Sequence, residues 1–194
     1  MMVNFTKGLP QLVAKARAMG RSLPSVGILL MSFLLVQEAS ASACRVSLSQ
    51  SLVDYGLMGG GGHPANQGIS IGKRTVRLNV TCSVASVIAM RFQGAPADGQ
   101  GYMFGRQGYF NLTLLHSTLD GKPVELAQWY NHSERSGALL PGQALVALAG
   151  GVPATGRNFS AQVQIESWLS SAAIAVRDRT TLEGNGRFEL ITGG

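Results

Sequence analysis

Three histidines, His63, His116 and His132, and two cysteines, Cys44 and Cys82, are the side chains best suited to hold a transition metal, and their spacing speaks against it. No two histidines form an H-x-x-x-H pair, and a tetrahedral site needs more ligands than these scattered positions offer. The run Gly59-Gly60-Gly61-Gly62 has the freedom of a phosphate-binding loop. It is not followed by the Lys-Ser/Thr pair that reaches phosphate and metal, and "GISIGKRT" lacks the rest of that spacing, so a flexible loop is expected. No G-x-S-x-G elbow is present. Asp54, Asp98, Asp120 and Glu125 sit in turn-like or solvated contexts, and no two of them stand out as an acid and base for glycoside hydrolysis. Trp129, Tyr130 and Trp168 are the aromatics with the best chance of stacking a sugar ring, with core packing or an edge contact as the competing expectation. The N-x-S/T tripeptides at Asn79, Asn111, Asn131 and Asn158 are expected by chance in a Ser/Thr-rich β protein. Catalytic, metal and cofactor residues are therefore expected to be none, and the chain is expected not to be an enzyme.

The elements around these residues read as strands. In "CRVSLSQSL" the apolar positions are Cys44, Val46 and Leu48, alternating with Arg45, Ser47 and Ser49, which is the period of a half-buried strand. The phase then shifts to Val53 and Tyr55, which predicts a bulge or a crossing between sheets within one strand. "KRTVRLNVTCSV" places Val76, Leu78, Val80 and Cys82 on one face and Thr75, Arg77, Asn79 and Thr81 on the other. Further strands are predicted in "VIAMRF", "YFNLTLLHS", "PVELAQW", "ALVALAG", "NFSAQVQIESW" and "EGNGRFELI", separated by "GAPADGQG", "LDGK", "LPGQ" and "GGVPATG". Short alternating segments broken by Gly, Pro, Asn and Asp predict an antiparallel β-sandwich with little helix.

The N-terminus has a different character. Lys7, Lys15, Arg17 and Arg21 precede the apolar block "VGILLMSFLLV" from Val26 to Val36, and small residues follow at Ala39, Ala41 and Ala43. This is the pattern of a secretory signal peptide over residues 1–43, with cleavage expected after Ala41 or Ala43. The apolar block is only about half of the ~20 residues a membrane span needs. Lipid attachment at Cys44 is the weaker expectation, because Ala41 stands where such signals prefer Leu. Four of the sixteen Lys and Arg and one of the ten Asp and Glu fall in the leader, so cleavage lowers the formal charge from +6 to +3. A nucleic-acid partner is accordingly not expected. Residues 44–194 are one domain's worth of chain. With two cysteines, both on apolar strand faces of an exported chain, a Cys44–Cys82 disulfide is expected, two buried free thiols being the alternative.

The order "CRVSLSQSLVDYG", "VRLNVTCSV", "LDGK" and "TLEGNGRFELI" resembles the bacterial fimbrial subunits assembled by the chaperone–usher route, most closely a group of fimbrial-like proteins with the same succession of motifs. The resemblance spans most of residues 44–194. It implies an immunoglobulin-like sandwich lacking its last strand, whose groove is filled first by a periplasmic chaperone and later by a neighbouring subunit's extension. It implies partners too: a periplasmic pilus chaperone, an outer-membrane usher, other fimbrial subunits and, at a fibre tip, a host or surface glycan. The residues suited to line the groove are Val46, Leu48, Phe159, Ala161, Val163, Ile165, Leu182, Phe188 and Leu190. Two departures from the family pattern stand out. The chain ends "LITGG" in place of a penultimate aromatic, and cleavage after Ala41 or Ala43 leaves at most two residues before Cys44, too few for a donor strand. A minor or tip subunit that accepts a strand and cannot give one is the resulting expectation, located on a fimbrium or the cell surface after passage through the periplasm. The alternative from sequence is a self-complete secreted β-sandwich, either a carbohydrate-binding module or a small hydrolase.

Overall fold

The computed structural model describes residues 2–5, 44–56, 69–98, 101–170, 173 and 181–191. The apolar block and cleavage positions of the expected leader, the Gly59–Gly62 run and His63 lie outside the described residues. In chain order the strands begin with β1 (Met2–Phe5), β2 (Cys44–Leu48), β3 (Leu52–Asp54), β4 (Ile69–Val87) and β5 (Ala89–Gly94). They continue with β6 (Tyr102–Phe104), β7 (Gly108–Leu119), β8 (Lys122–Pro123), β9 (Glu125–Gln128) and β10 (Asn131–Arg135). The last five are β11 (Ala138–Leu139), β12 (Ala144–Ala149), β13 (Val152–Pro153), β14 (Thr155–Leu169) and β15 (Glu183–Ile191).

Two sheets result. Sheet I runs β10-β9-β12-β5-β15-β1-β3, with β13 beside β12; sheet II runs β11-β7-β14-β4-β2, with β6 and β8 beside β7. Neighbours pair antiparallel except β1 and β15, which run parallel. The protein is an all-β sandwich. Its core follows from the alternation: Val76, Leu78, Val80 and Cys82 of β4, Phe159, Ala161, Val163 and Ile165 of β14, and Phe110, Leu112 and Leu114 of β7 are buried from sheet II. Sheet I answers with Val53, Met90, Phe92, Leu126, Leu145, Ala147 and Phe188. Burial of these faces is the main source of stability, at about 25 cal/mol per Å² of apolar surface.

Two local departures from simple alternation have visible causes. In β7 the inward phase breaks after Leu114 and resumes at Ser117 and Leu119, because Leu115 pairs with Gln162 while Thr118 pairs with Ser160. The extra residue makes a bulge, and His116 within it adopts a left-handed φ of 51°. In β12 the segment from Ala144 to Leu148 is buried on both faces. Leu145 and Ala147 join the core, whereas Val146 and Leu148 join Ala89 and Ala127 in a second apolar cluster against which Val87, Trp129 and Ile191 pack.

The "LDGK" turn shows how local chemistry ties distant strands. Asp120 and Gly121, at φ 47° and 78°, form a two-residue connection between the paired Leu119 and Lys122, the backbone signature of a type I′ hairpin. The Asp120 carboxylate accepts the N–H groups of Asn158 (2.8 Å) and Arg157 (3.1 Å), and the Asp120 N–H donates to the Asn158 carbonyl (2.7 Å). These backbone donors, Asn158 first and Arg157 second, hold its pKa below the usual carboxylate range. A depressed folded-state pKa contributes stability above the unfolded value near 4 and loses it as pH falls through the folded value. The stability gap between wild type and Asp120→Asn is therefore expected to be widest near neutrality and to shrink below about pH 4. Urea unfolding of both forms across that range checks it; a gap independent of pH would contradict the assignment.

Candidate functional site

Cys44 and Cys82 form a disulfide that closes a loop with a sequence separation of 38. They are register partners, Cys44 on the edge strand β2 and Cys82 on β4, followed by Val46 with Val80 and Leu48 with Leu78. After Leu48 the chain leaves sheet II. Ser49 still donates its N–H to the Arg77 carbonyl, and three residues later β3 lies in sheet I. The phase shift at Val53 and Tyr55 is thus a crossing between sheets.

The crossing delivers β3 to the far edge of sheet I, where it lies two strand spacings from β15, or about 9.5 Å at ordinary sheet geometry. The strand between them is β1. Met2, Val3, Asn4 and Phe5 run parallel beside Glu183, Gly184, Asn185 and Gly186, and on the other side Met2, Val3 and Asn4 pair antiparallel with Asp54, Val53 and Leu52. Sheet I therefore has a place one strand wide between β15 and β3, and residues ahead of the expected cleavage positions fill it. β1 spans the first four positions of β15, which continues to Ile191.

Beneath β15 lies an aromatic layer. Phe92 packs edge-on against Tyr102 (4.7 Å between ring centres), Phe188 (5.1 Å) and Phe110 (6.1 Å), and Tyr102 stacks on Phe110 at 5.5 Å. The Tyr102 hydroxyl donates to the Phe92 carbonyl at 3.2 Å, and burial pushes its pKa up, so it stays a neutral donor. These rings rise to the β15 backbone. A Cβ on Gly186 would fall 2.1 Å from the Phe92 ring, and one on Gly184 would fall 2.7 Å from Phe110. The glycines of "EGNGRF" thus leave room for the rings below them. On the outer face Glu189 accepts from both Arg91 (3.0 Å) and Arg187 (2.7 Å), and Arg187 also reaches Gln93 at 2.8 Å.

Of the residues expected to line a groove, Phe188 and Leu190 are on β15, bordering this place, with Leu182 just ahead of it; Phe188 is buried and the other two are partly buried against the core. Val46 and Leu48 lie on β2, at the edge of sheet II. Phe159, Ala161, Val163 and Ile165 lie on β14, hydrogen-bonded between β7 and β4 in the opposite sheet. They therefore form part of the core floor across the sandwich and are not a wall beside β15. On its other side this place is bordered by β3, which carries Val53 and leads to Tyr55, two residues that the sequence marked by its phase shift.

No family model matches this chain, and no curated protein matches it.

The remaining candidate side chains lie apart from one another. Trp129 packs on the second apolar cluster of sheet I, and Tyr130 beside it is 92% exposed. Trp168 stands on β14 in sheet II, its ring nearly parallel to that of Tyr109 on β7. The structure does not gather these three aromatics into one site. Asp54 accepts the Gly56 N–H at 2.7 Å, Asp120 binds β14, and Glu125 pairs with Arg135. Among the described residues no three His, Cys, Asp or Glu side chains converge.

Proposed function

We propose that this chain is an exported fimbrial-type subunit whose working surface is the strand-wide place between β15 and β3. The observation that carries the proposal is that β1, which joins β15 to β3, belongs to the segment that cleavage after Ala41 or Ala43 would remove. Strand order supports the same reading. An immunoglobulin-type sandwich sets its first, second, fifth and fourth strands in one sheet and its third, sixth and seventh in the other. Here β2, β4, β14 and β7 take the first set of places, β5 and β15 the third and sixth, and β1 the seventh. With β1 removed by cleavage, the seventh place stands open between β15 and β3 for a strand supplied by a partner. Main-chain hydrogen bonds to β15 and β3 give such a strand its register, and alternate side chains turned toward Phe188 and Val53 give it affinity. The partners are a periplasmic chaperone during export and another fimbrial subunit afterwards, with the usher as assembly platform.

The test uses protein recovered after export, its N-terminus established by mass spectrometry, and a synthetic peptide of residues 1–8, MMVNFTKG. The thermal midpoint is expected to rise with peptide concentration, since a ligand of the folded form alone adds about 2.7 kcal/mol at a hundred times its Kd. Oligomers held together at the exposed edges of β15 and β3 should resolve into peptide-bound monomers. A stable monomer whose midpoint does not respond to peptide would identify a self-complete sandwich instead.

A further inference from the structure

We propose that Tyr55 sets the width of this strand-accepting place, holding β3 at two strand spacings from β15 so that one incoming strand fits between them. The proposal rests on the strand-accepting function above and adds the residue that positions its second wall. β1 is the strand through which β3 joins sheet I, so β3 needs another anchor when that place is vacant. Val53 supplies part of it, being 1% exposed in the core. Tyr55 supplies the part with direction. Its hydroxyl accepts a hydrogen bond from Ser167 Oγ at 3.0 Å and approaches the Ile165 carbonyl at 3.5 Å, both on β14 in the opposite sheet.

The surroundings fix this phenol from every side. Its ring meets Phe104 edge-on at 6.1 Å, and the Arg74 guanidinium lies 5.0 Å from its centre. Burial raises the Tyr55 pKa, opposed in part by the Ser167 hydrogen bond and by Arg74, so the hydroxyl remains protonated across the physiological range. Ser167 is fully buried and would be left without this partner if the hydroxyl were lost. The chain turns immediately afterwards. Gly56, at φ 72°, donates to the Asp54 carboxylate and closes the "VDYG" segment. The crossing at Ser49 holds one end of β3, and the link from Tyr55 to β14 holds the other.

The experiment measures dissociation of a fluorescently labelled peptide of residues 1–8 from the exported, oxidised protein, together with thermal unfolding. Tyr55→Phe keeps the ring and removes the hydroxyl. It is expected to speed peptide dissociation roughly three- to tenfold, the effect of one well-placed hydrogen bond. The double variant Tyr55→Phe/Ser167→Ala removes both polar partners and is expected to regain most of the lost thermal stability while dissociation stays fast. A residue that only stabilised the core would change the midpoint and leave dissociation at the wild-type rate, and that result overturns the proposal. If Tyr55→Phe is not recovered folded, Ser167→Ala gives the same reading, with faster dissociation expected and an unchanged rate counting against it. Absence of peptide binding by the wild type would sink the strand-accepting function itself, and the role of Tyr55 with it.

Discussion

Unfolding of the Cys44→Ala/Cys82→Ala variant is expected at about 4 kcal/mol below the oxidised wild type, the stabilisation that chain entropy assigns to a loop of this length. The bridge joins β2, at the edge of sheet II, to its only partner among the described strands, β4. Without it, β2 keeps a five-residue ladder to β4 and the partly buried Val46 and Leu48. A domain of this size has a total stability of roughly 5–15 kcal/mol, so the loss is a large share of it. Denaturant unfolding of the wild type, its reduced form and the double variant measures the effect, with the last two expected to agree. A difference from wild type within about 1 kcal/mol, the central size of an ordinary point-mutation effect, would show that the bridge closes an already ordered segment.

The second large effect belongs to Phe188. Its side chain is 7% exposed, sits 5.1 Å from the Phe92 ring, and turns inward from the strand that borders the proposed docking place. Truncating a buried phenylalanine to alanine costs about 3–5 kcal/mol, and aspartate adds a carboxylate that must be desolvated, protonated or expelled. Phe188→Asp is expected to abolish recovery of oxidised, monodisperse protein and co-purification of the chaperone. Glu189→Gln is the matched control one residue along. It alters ion pairs to Arg91 and Arg187 in which the guanidinium side chains are about half exposed, and such pairs contribute about 0–1 kcal/mol. Equal chaperone recovery for wild type and Phe188→Asp would remove β15 from the docking surface.

What could be read from the residues alone divides along a physical line. Alternation reports which face of a strand is apolar, so the inward positions of β4 and β14 were legible, as was the partner of Cys44 once both cysteines fell on apolar faces. The phase change between Leu48 and Val53 was legible as well, but only as a bulge or a crossing; the pairing of β2 and β3 in different sheets decides for the crossing. Alternation says nothing about which strand lies beside which. β14 and β15 follow each other in sequence and share an apolar rhythm, yet they occupy opposite sheets, because each finds its hydrogen-bonding neighbours far away in the chain. For the same reason alternation placed the four inward residues of β14 beside those of β15, whereas the pairing puts them in opposite sheets. The bulge at His116 is a third case. The side chains of "LLHSTL" do not announce an extra residue, which becomes visible only against the register of β14.

The pairing that builds sheet I also governs when it can form. Phe92 faces Phe188 and Val76 faces Val163, so in both sheets the central ladders join partners separated by nearly half the chain. Folds of such high contact order are slow, reaching the native state in milliseconds to seconds, because loop closure must be met before distant contacts reward it. Synthesis runs from the N-terminus, which puts β5 in place long before β15 exists to pair with it. Among the described strands, the edge of β5 is therefore exposed for longer than almost any other, and β15, the last of them in sequence, closes it. A helper that binds β15 as it arrives would act at the step where an incomplete sheet is most prone to join another copy of itself.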